Sequence, residues 1–316
     1  MLFRSFINPS NPRALYFNDD IYLGYIPGGR IEIVSTDPEL GGIYYIFDIP
    51  RPGGSIRVER SNRCMNCHAG EDTGHVPGIV IKSVAPAMTG GSLDTFRAGQ
   101  TGHAVPLEDR FGGWYVTGTG GWTRHWGNVI GELSGGSLGR IPNPPGSRFD
   151  FARYPVPTSD ILAHLIHEHQ AGFVNRAVKA VYLARTHLHN DGGTLTREHE
   201  AEVDEQAREL IRYILFADEA PLPQGGFDGD SRFRREFAAA SLAVDGKSLR
   251  DLDLRTRIFK HRCSYMIYST AFSGLPETLK QRVHRRLGAA LAEESKDPES
   301  THLSSEERRT IRRILS

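Results

Sequence analysis

Ser159-Asp160-Ile161-Leu162-Ala163-His164-Leu165-Ile166-His167-Glu168-His169-Gln170 is where the chain changes period. Ser159-Asp160 offers side-chain oxygens where a helix start leaves its N–H groups unpaired. Beyond it, Leu162, Leu165, Ile166, His169, Phe173, Ala177 and Val181 recur at helical spacing as far as Leu188. The same period predicts helices over 197–217, 231–243, 248–272 and 276–292. Ser304-Ser305-Glu306-Glu307 reads as a capping box opening a last helix, 305–315.

Upstream of this point the pattern alternates instead. Leu15, Phe17, Ile21, Leu23 and Tyr25 lead into a Pro27-Gly28-Gly29 turn, and Ile31, Ile33 and Ser35 follow it. Ile43 to Phe47 is a short, more buried β run. An antiparallel meander over 14–49 is the expectation, with further strands at 78–84 and 113–119. Residues 134–158, rich in Gly, Ser and Pro, read as a linker. The expected fold class is therefore α+β: a β-rich domain over 1–150 and an α-helical domain over 151–316. A sheet-based sensor fold of PAS-like type is the alternative architecture.

The composition limits function. The 316 residues are 39% hydrophobic and 24% charged, and Lys+Arg and Asp+Glu stand at 38 each. A neutral balance gives no global basic field to hold nucleic acid. No apolar stretch approaches the roughly 18 residues of a membrane span. Met1 to Ser10 lacks the basic and apolar regions of a secretory signal.

Chemistry concentrates in Arg63-Cys64-Met65-Asn66-Cys67-His68. C-x-x-C-H is the c-type haem attachment pattern. Two thiols three positions apart can reach the two vinyl groups on one porphyrin edge, and the adjacent histidine supplies an axial nitrogen. The competing readings are weaker. Structural cysteines prefer apolar surroundings, whereas Arg63, Asn66, Glu71 and Asp72 surround these. A redox C-x-x-C wants a strand-to-helix βαβ setting, and a zinc site wants a second ligand pair. One covalent haem c held by Cys64, Cys67 and His68 is the expectation.

The second face of the iron has several candidate ligands: His75, Met88, His103, His125 and His169. Loops of 35 and 57 residues bring His103 and His125 back at modest entropic cost. His125 stands among Trp114, Tyr115, Trp122 and Trp126, which could wall an apolar face. His169 shares the apolar stripe of its helix, where a core histidine is the plainer reading. Cys263, in a helical apolar run, reads as a core thiol, and the Arg-rich tail as a solvated helix face.

Several segments together carry a resemblance: 14–24, Cys64–His68, Val76-Pro77-Gly78, 112–119, Arg124-His125-Trp126-Gly127-Asn128 and Glu168-His169-Gln170. Across most of its length the chain resembles c-type cytochrome-domain proteins of planctomycete-like bacteria, which look exported. The resemblance implies haem attachment at Cys64 and Cys67 with axial His68, and it raises His103, His125 and His169 above the other histidines. It also implies a periplasmic or other extracytoplasmic location, with the start of this sequence truncated or misassigned.

A non-haem interaction protein in which C-x-x-C-H plays no part is one open reading, and two haem functions stand beside it. One is electron transfer or haem-based redox sensing with a redox partner protein. The other is a haem peroxidase or oxygenase with an open or displaceable distal site, served by Arg124-His125 or Glu168-His169.

Overall fold

The computed structural model describes residues 8–48, 53–96, 100–118 and 124–316. Met1 to Ile7, Thr119 and Trp122, all used in the sequence reading, lie outside them.

The alternating segments form the expected meander. Strands β1 (Ala14–Phe17), β2 (Ile21–Tyr25), β3 (Arg30–Asp37), β4 (Gly41–Asp48) and β5 (Glu59–Arg60) pair antiparallel in chain order. Tyr22, Val34 and Tyr44 face the core from this sheet. After the motif helix α1 (Met65–His68) come two hairpins, β6 (Ser83–Pro86) with β7 (Ser92–Phe96) and β8 (Val129–Ser134) with β9 (Ser137–Pro142). The first half of the expected linker is thus a hairpin. Gly135 and Gly136 stand at φ 57° and 80°, the left-handed pair that a two-residue type I′ turn demands. In the 78–84 run only residues from Ser83 onward pair in a sheet. In the 113–119 run, Trp114 and Thr117 make single parallel bridges to Arg13 and Asp160.

The helical half is α2 (Ile161–Asn190), α3 (Arg197–Ile214), α4 (Ser231–Ala239), α5 (Thr270–Ser273), α6 (Glu277–Ala290) and α7 (Ser305–Leu315). Asp160 caps α2 through Leu162 N at 3.0 Å. Ser304 caps α7 through Glu307 N at 3.1 Å. The reciprocal half of that capping box is missing, because the Glu307 carboxylate instead binds the Arg262 guanidinium.

The helix expected over 248–272 is not formed. Residues 248–264 are a turned loop, followed by a 3₁₀ segment Tyr265–Tyr268 and the four-residue α5. Asp253 accepts from the N–H groups of Arg255 and Thr256 at 2.8 and 3.1 Å, and Leu254 sits at φ 61°. An aspartate side chain that captures the following N–H groups competes with the helix ladder. The apolar spacing has another cause here: Leu249, Leu254, Ile258 and Phe259 drop from the loop into the core.

The α2 helix is buried over most of its first six turns, so it runs through the molecule rather than along its surface. One hydrophobic cluster joins Tyr22, Val34, Tyr44, Val76 and Ile79 to Phe173, Val178, Leu210 and Val283. The core therefore crosses residue 150. Among the described residues no helix is long and apolar enough to cross a membrane.

Candidate functional site

The motif segment is held against the sheet by its backbone. Ser61 N donates to Tyr44 O at 2.9 Å, and the chain then turns through a 3₁₀ segment, Asn62–Cys64, into α1. Cys67 is exposed, Cys64 is half-buried, and both are free thiols. Burial pushes the Cys64 thiol up, and a hydrogen bond to Ser61 opposes it. Cys263 is fully buried and its thiol is pushed up to about 12, as expected of an inert core cysteine.

His68 packs its ring on Tyr44 with centroids 4.3 Å apart. The imidazole Nδ1 lies 2.6 Å from Tyr44 Oη. Tyr44 Oη also lies 2.5 Å from the Gly78 carbonyl oxygen. Gly78 N in turn donates to His68 O at 2.8 Å. Burial, with a smaller push from Arg13, lowers the His68 pKa to about 4, so the ring is neutral at pH 7. A groove of about 140 Å³ opens beside the segment between Leu40, Tyr44, Ser61, Asn62, Met65 and Tyr182. Sites that enclose an organic ligand measure roughly 300–1,000 Å³, so a porphyrin is not received whole in this groove.

The three histidines expected near the iron lie elsewhere. His103 and His169 meet each other in the core, Nδ1 to Nδ1 at 2.8 Å. His169 Nε2 meets Ser264 Oγ at 2.7 Å, so both of its ring nitrogens are engaged. Tyr213 stacks on the His103 ring at 4.1 Å and donates to His169 O at 2.9 Å. Burial holds both imidazoles well below the usual histidine range, His169 at about 3. His125 is buried beside Phe111, and its Nδ1 accepts from Gly127 N at 3.0 Å. Among the described residues no hydrogen bond or ring contact joins His103, His125 or His169 to His68. Of the other candidates, His75 is exposed at φ 63° and Met88 is 46% exposed.

Next to the His103–His169 pair lies a buried ion pair. Arg110 Nη1 stands 2.9 Å from Glu168 Oε2. Its Nε donates to Val105 O at 2.7 Å and its Nη2 to His103 O at 3.0 Å. Burial raises the Glu168 carboxyl to about 7 against the opposing pull of Arg110. Ile81, Ser83, Phe96, Thr101, Arg110 and Glu168 line a small cleft of about 20 Å³ over this pair, which is room for about one water.

Ser264–His169–His103 has the atom order of a nucleophile, a base and an orienting group. Yet Ser264 and His169 are fully buried, and the cleft is bordered by Arg110 and Glu168 rather than by Ser264. Buried in this way, the array ties α2, the 100–110 loop and the 264 segment together. Ser264 also accepts from Met266 N at 3.1 Å, at the start of the 3₁₀ turn. Two neighbouring histidines on α2 are likewise structural. His164 Nε2 donates to Tyr115 O at 3.0 Å, and His167 packs against Phe17 and Tyr22.

The motif residues thus come together, and the distal candidates do not join them. Tyr44, Arg110 and Ser264 were not singled out from the sequence; Tyr44 showed there only as part of a buried β run, and Gly78 only within the Val76-Pro77-Gly78 segment and the 78–84 strand candidate. Among the described residues no three of His, Cys, Asp and Glu converge as the ligands of a metal ion. No family model matches the chain, and neither a curated protein nor a solved structure is similar to it.

Proposed function

We propose that the chain is a c-type monohaem cytochrome that transfers electrons or senses redox state outside the cytoplasm, with a redox protein as partner. The observation that carries this reading is the state of the 64–68 segment. Two free thiols three residues apart, one exposed within a short helix and one half-buried at its N-cap, stand beside an imidazole already fixed against the sheet. The three side chains do not converge on a single point. A bare ion needs such convergence, whereas a porphyrin held through two vinyl groups on one edge takes its two sulfurs away from the iron.

When bound, the haem would supply one-electron iron chemistry. Cys64 and Cys67 would hold it covalently, and His68 would give one axial nitrogen. The protein's part is to keep that imidazole neutral, through burial, and oriented, through Tyr44.

One observation favours the second reading, a haem enzyme or ligand-binding sensor. His103, His125 and His169 are committed to partners other than His68. That arrangement favours water or a small molecule over these three histidines as the second ligand.

The experiment is expression behind an export leader in a host that attaches haem c. The expected outcome is a pyridine haemochrome spectrum of a doubly thioether-linked haem and a mass gain of one haem. Cys67→Ala should leave a single linkage, and His68→Ala should lose the low-spin spectrum. Colourless protein of unmodified mass rejects the reading. Carbon monoxide added to the reduced form then separates the two versions: a rapid Soret shift marks an open site, and an unmoved spectrum marks six-coordinate electron transfer.

A further inference from the structure

We propose that Tyr44 is the positioning residue of His68: it fixes the ring in the Nδ1–H tautomer and leaves Nε2 as the bare, ligating nitrogen. The role of Nε2 rests on the haem reading above; the tautomer itself does not.

The argument is a count of protons. Tyr44 Oη makes two short polar contacts, 2.5 Å to Gly78 O and 2.6 Å to His68 Nδ1. The hydroxyl owns one proton. A carbonyl oxygen can only accept, so a contact of 2.5 Å to Gly78 requires the hydroxyl proton to lie there. Tyr44 Oη then turns a lone pair toward His68. Two lone pairs facing each other at 2.6 Å would repel, so Nδ1 carries the hydrogen in that contact. A neutral imidazole has one ring proton, and Nε2 is left without it. This is the form a metal-ligating histidine needs, with the second ring nitrogen donating to a fixed acceptor.

The acceptor is fixed from several sides. Tyr44 is 3% exposed on the central part of β4. Gly78 is locked to the motif by its own N–H bond to His68 O. The following residue, Ile79, is clamped by one α2 side chain: Asn175 Oδ1 accepts from Ile79 N at 2.7 Å, and Asn175 Nδ2 donates to Ile79 O at 2.9 Å. No side chain fits at Gly78, since a Cβ there would lie 2.6 Å from Asn175 Oδ1 and 2.9 Å from Thr73 Cβ. A relay from α2 through Asn175 and Gly78 therefore holds the hydroxyl that holds the ring. A donor bond from Nδ1–H raises the basicity of the opposite nitrogen, which favours the oxidised iron.

The test is long-range ¹H–¹⁵N correlation of the histidine rings in the reduced, full-length chain before haem attachment, comparing wild type with Tyr44→Phe. Wild type should show His68 with a protonated Nδ1 and an unprotonated Nε2. Tyr44→Phe should lose that bias and gain the Nε2–H form. In haem-loaded protein the same substitution should move the redox equilibrium toward reduced iron by about tenfold, or about 59 mV for one electron. A wild-type ring protonated at Nε2, or a tautomer unmoved by Tyr44→Phe, overturns the proposal. The wild-type spectrum alone tests the proton count, so that arm stands even where the variant does not fold. The expected tautomer in protein that takes up no haem upholds the Tyr44 assignment and removes the haem reading by itself.

Discussion

Arg110 carries a full charge into the core at 2% exposure, and Glu168 answers it from α2 at 2.9 Å. Such a pair gains little over an apolar pair of equal volume, but breaking it strands a charge away from water. Arg110→Met should therefore cost about 3–5 kcal/mol in urea unfolding, and Arg110→Met combined with Glu168→Leu should recover a large part of that loss. Additivity of the two single costs would show that the residues do not act as a pair. At this scale only the motif was legible, because its chemistry lies in adjacent positions. The residues that complete it do not. Tyr44 is 24 residues from His68, His103 is 66 from His169, and Ser264 is 95 from His169. Composition and periodicity carry no signal over such separations, so a histidine committed to another histidine looks the same as one free to bind iron.

Elements were legible where their ends announced themselves. Ser159-Asp160 marked the start of α2 to within a residue, and the Asp160 carboxylate does more than cap. One oxygen accepts from Leu162 N and the other from Asp230 N, each at 3.0 Å, and Asp230 itself caps α4. Asp160→Ala should cost about 2 kcal/mol, the cap plus an orphaned N–H, whereas Asp160→Asn keeps one acceptor oxygen and should lose only one of the two bonds, about half of that cost. Thermal melting of the two variants distinguishes a specific cap from a dispensable surface charge. Two of the misread elements had plain physical causes. Gly135-Gly136 looked like linker because flexible composition and a tight I′ turn use the same residue. Residues 248–264 looked helical because a loop that buries Leu249, Leu254 and Ile258 can imitate a stripe.

The whole molecule stores an unusual amount of neutral imidazole. His103, His125, His164, His167 and His169 are all buried with pKa values held down by burial, the last four at about 3 or 4. In the unfolded chain each titrates near 6.5. As pH falls through 6.5 the unfolded state takes up protons that the folded state refuses, and stability declines. Two carboxyls work the other way: Glu168 and Glu219 are raised to about 7 by burial, and they stay protonated in the folded state below that value. With His68, also held at about 4, the lowered imidazoles outnumber the raised carboxyls, Glu32 and Asp160 included, and leave a net loss. The urea midpoint should fall markedly between pH 7 and pH 5, and a flat or rising profile would contradict the burial of these rings. Attachment of haem should not remove this acid sensitivity, since none of the five belongs to the motif.

The clamp of Asn175 on Ile79 bears on how far the Cys64–His68 segment is portable. Grafted into another scaffold as a short cassette, it would bring its sulfurs and its imidazole but leave behind β4 upstream, the Gly78 carbonyl downstream and a side chain from a helix nearly a hundred residues later. The attachment chemistry is local in sequence and the ring alignment is not. A designer who borrows the pentapeptide alone inherits the anchor without the compass.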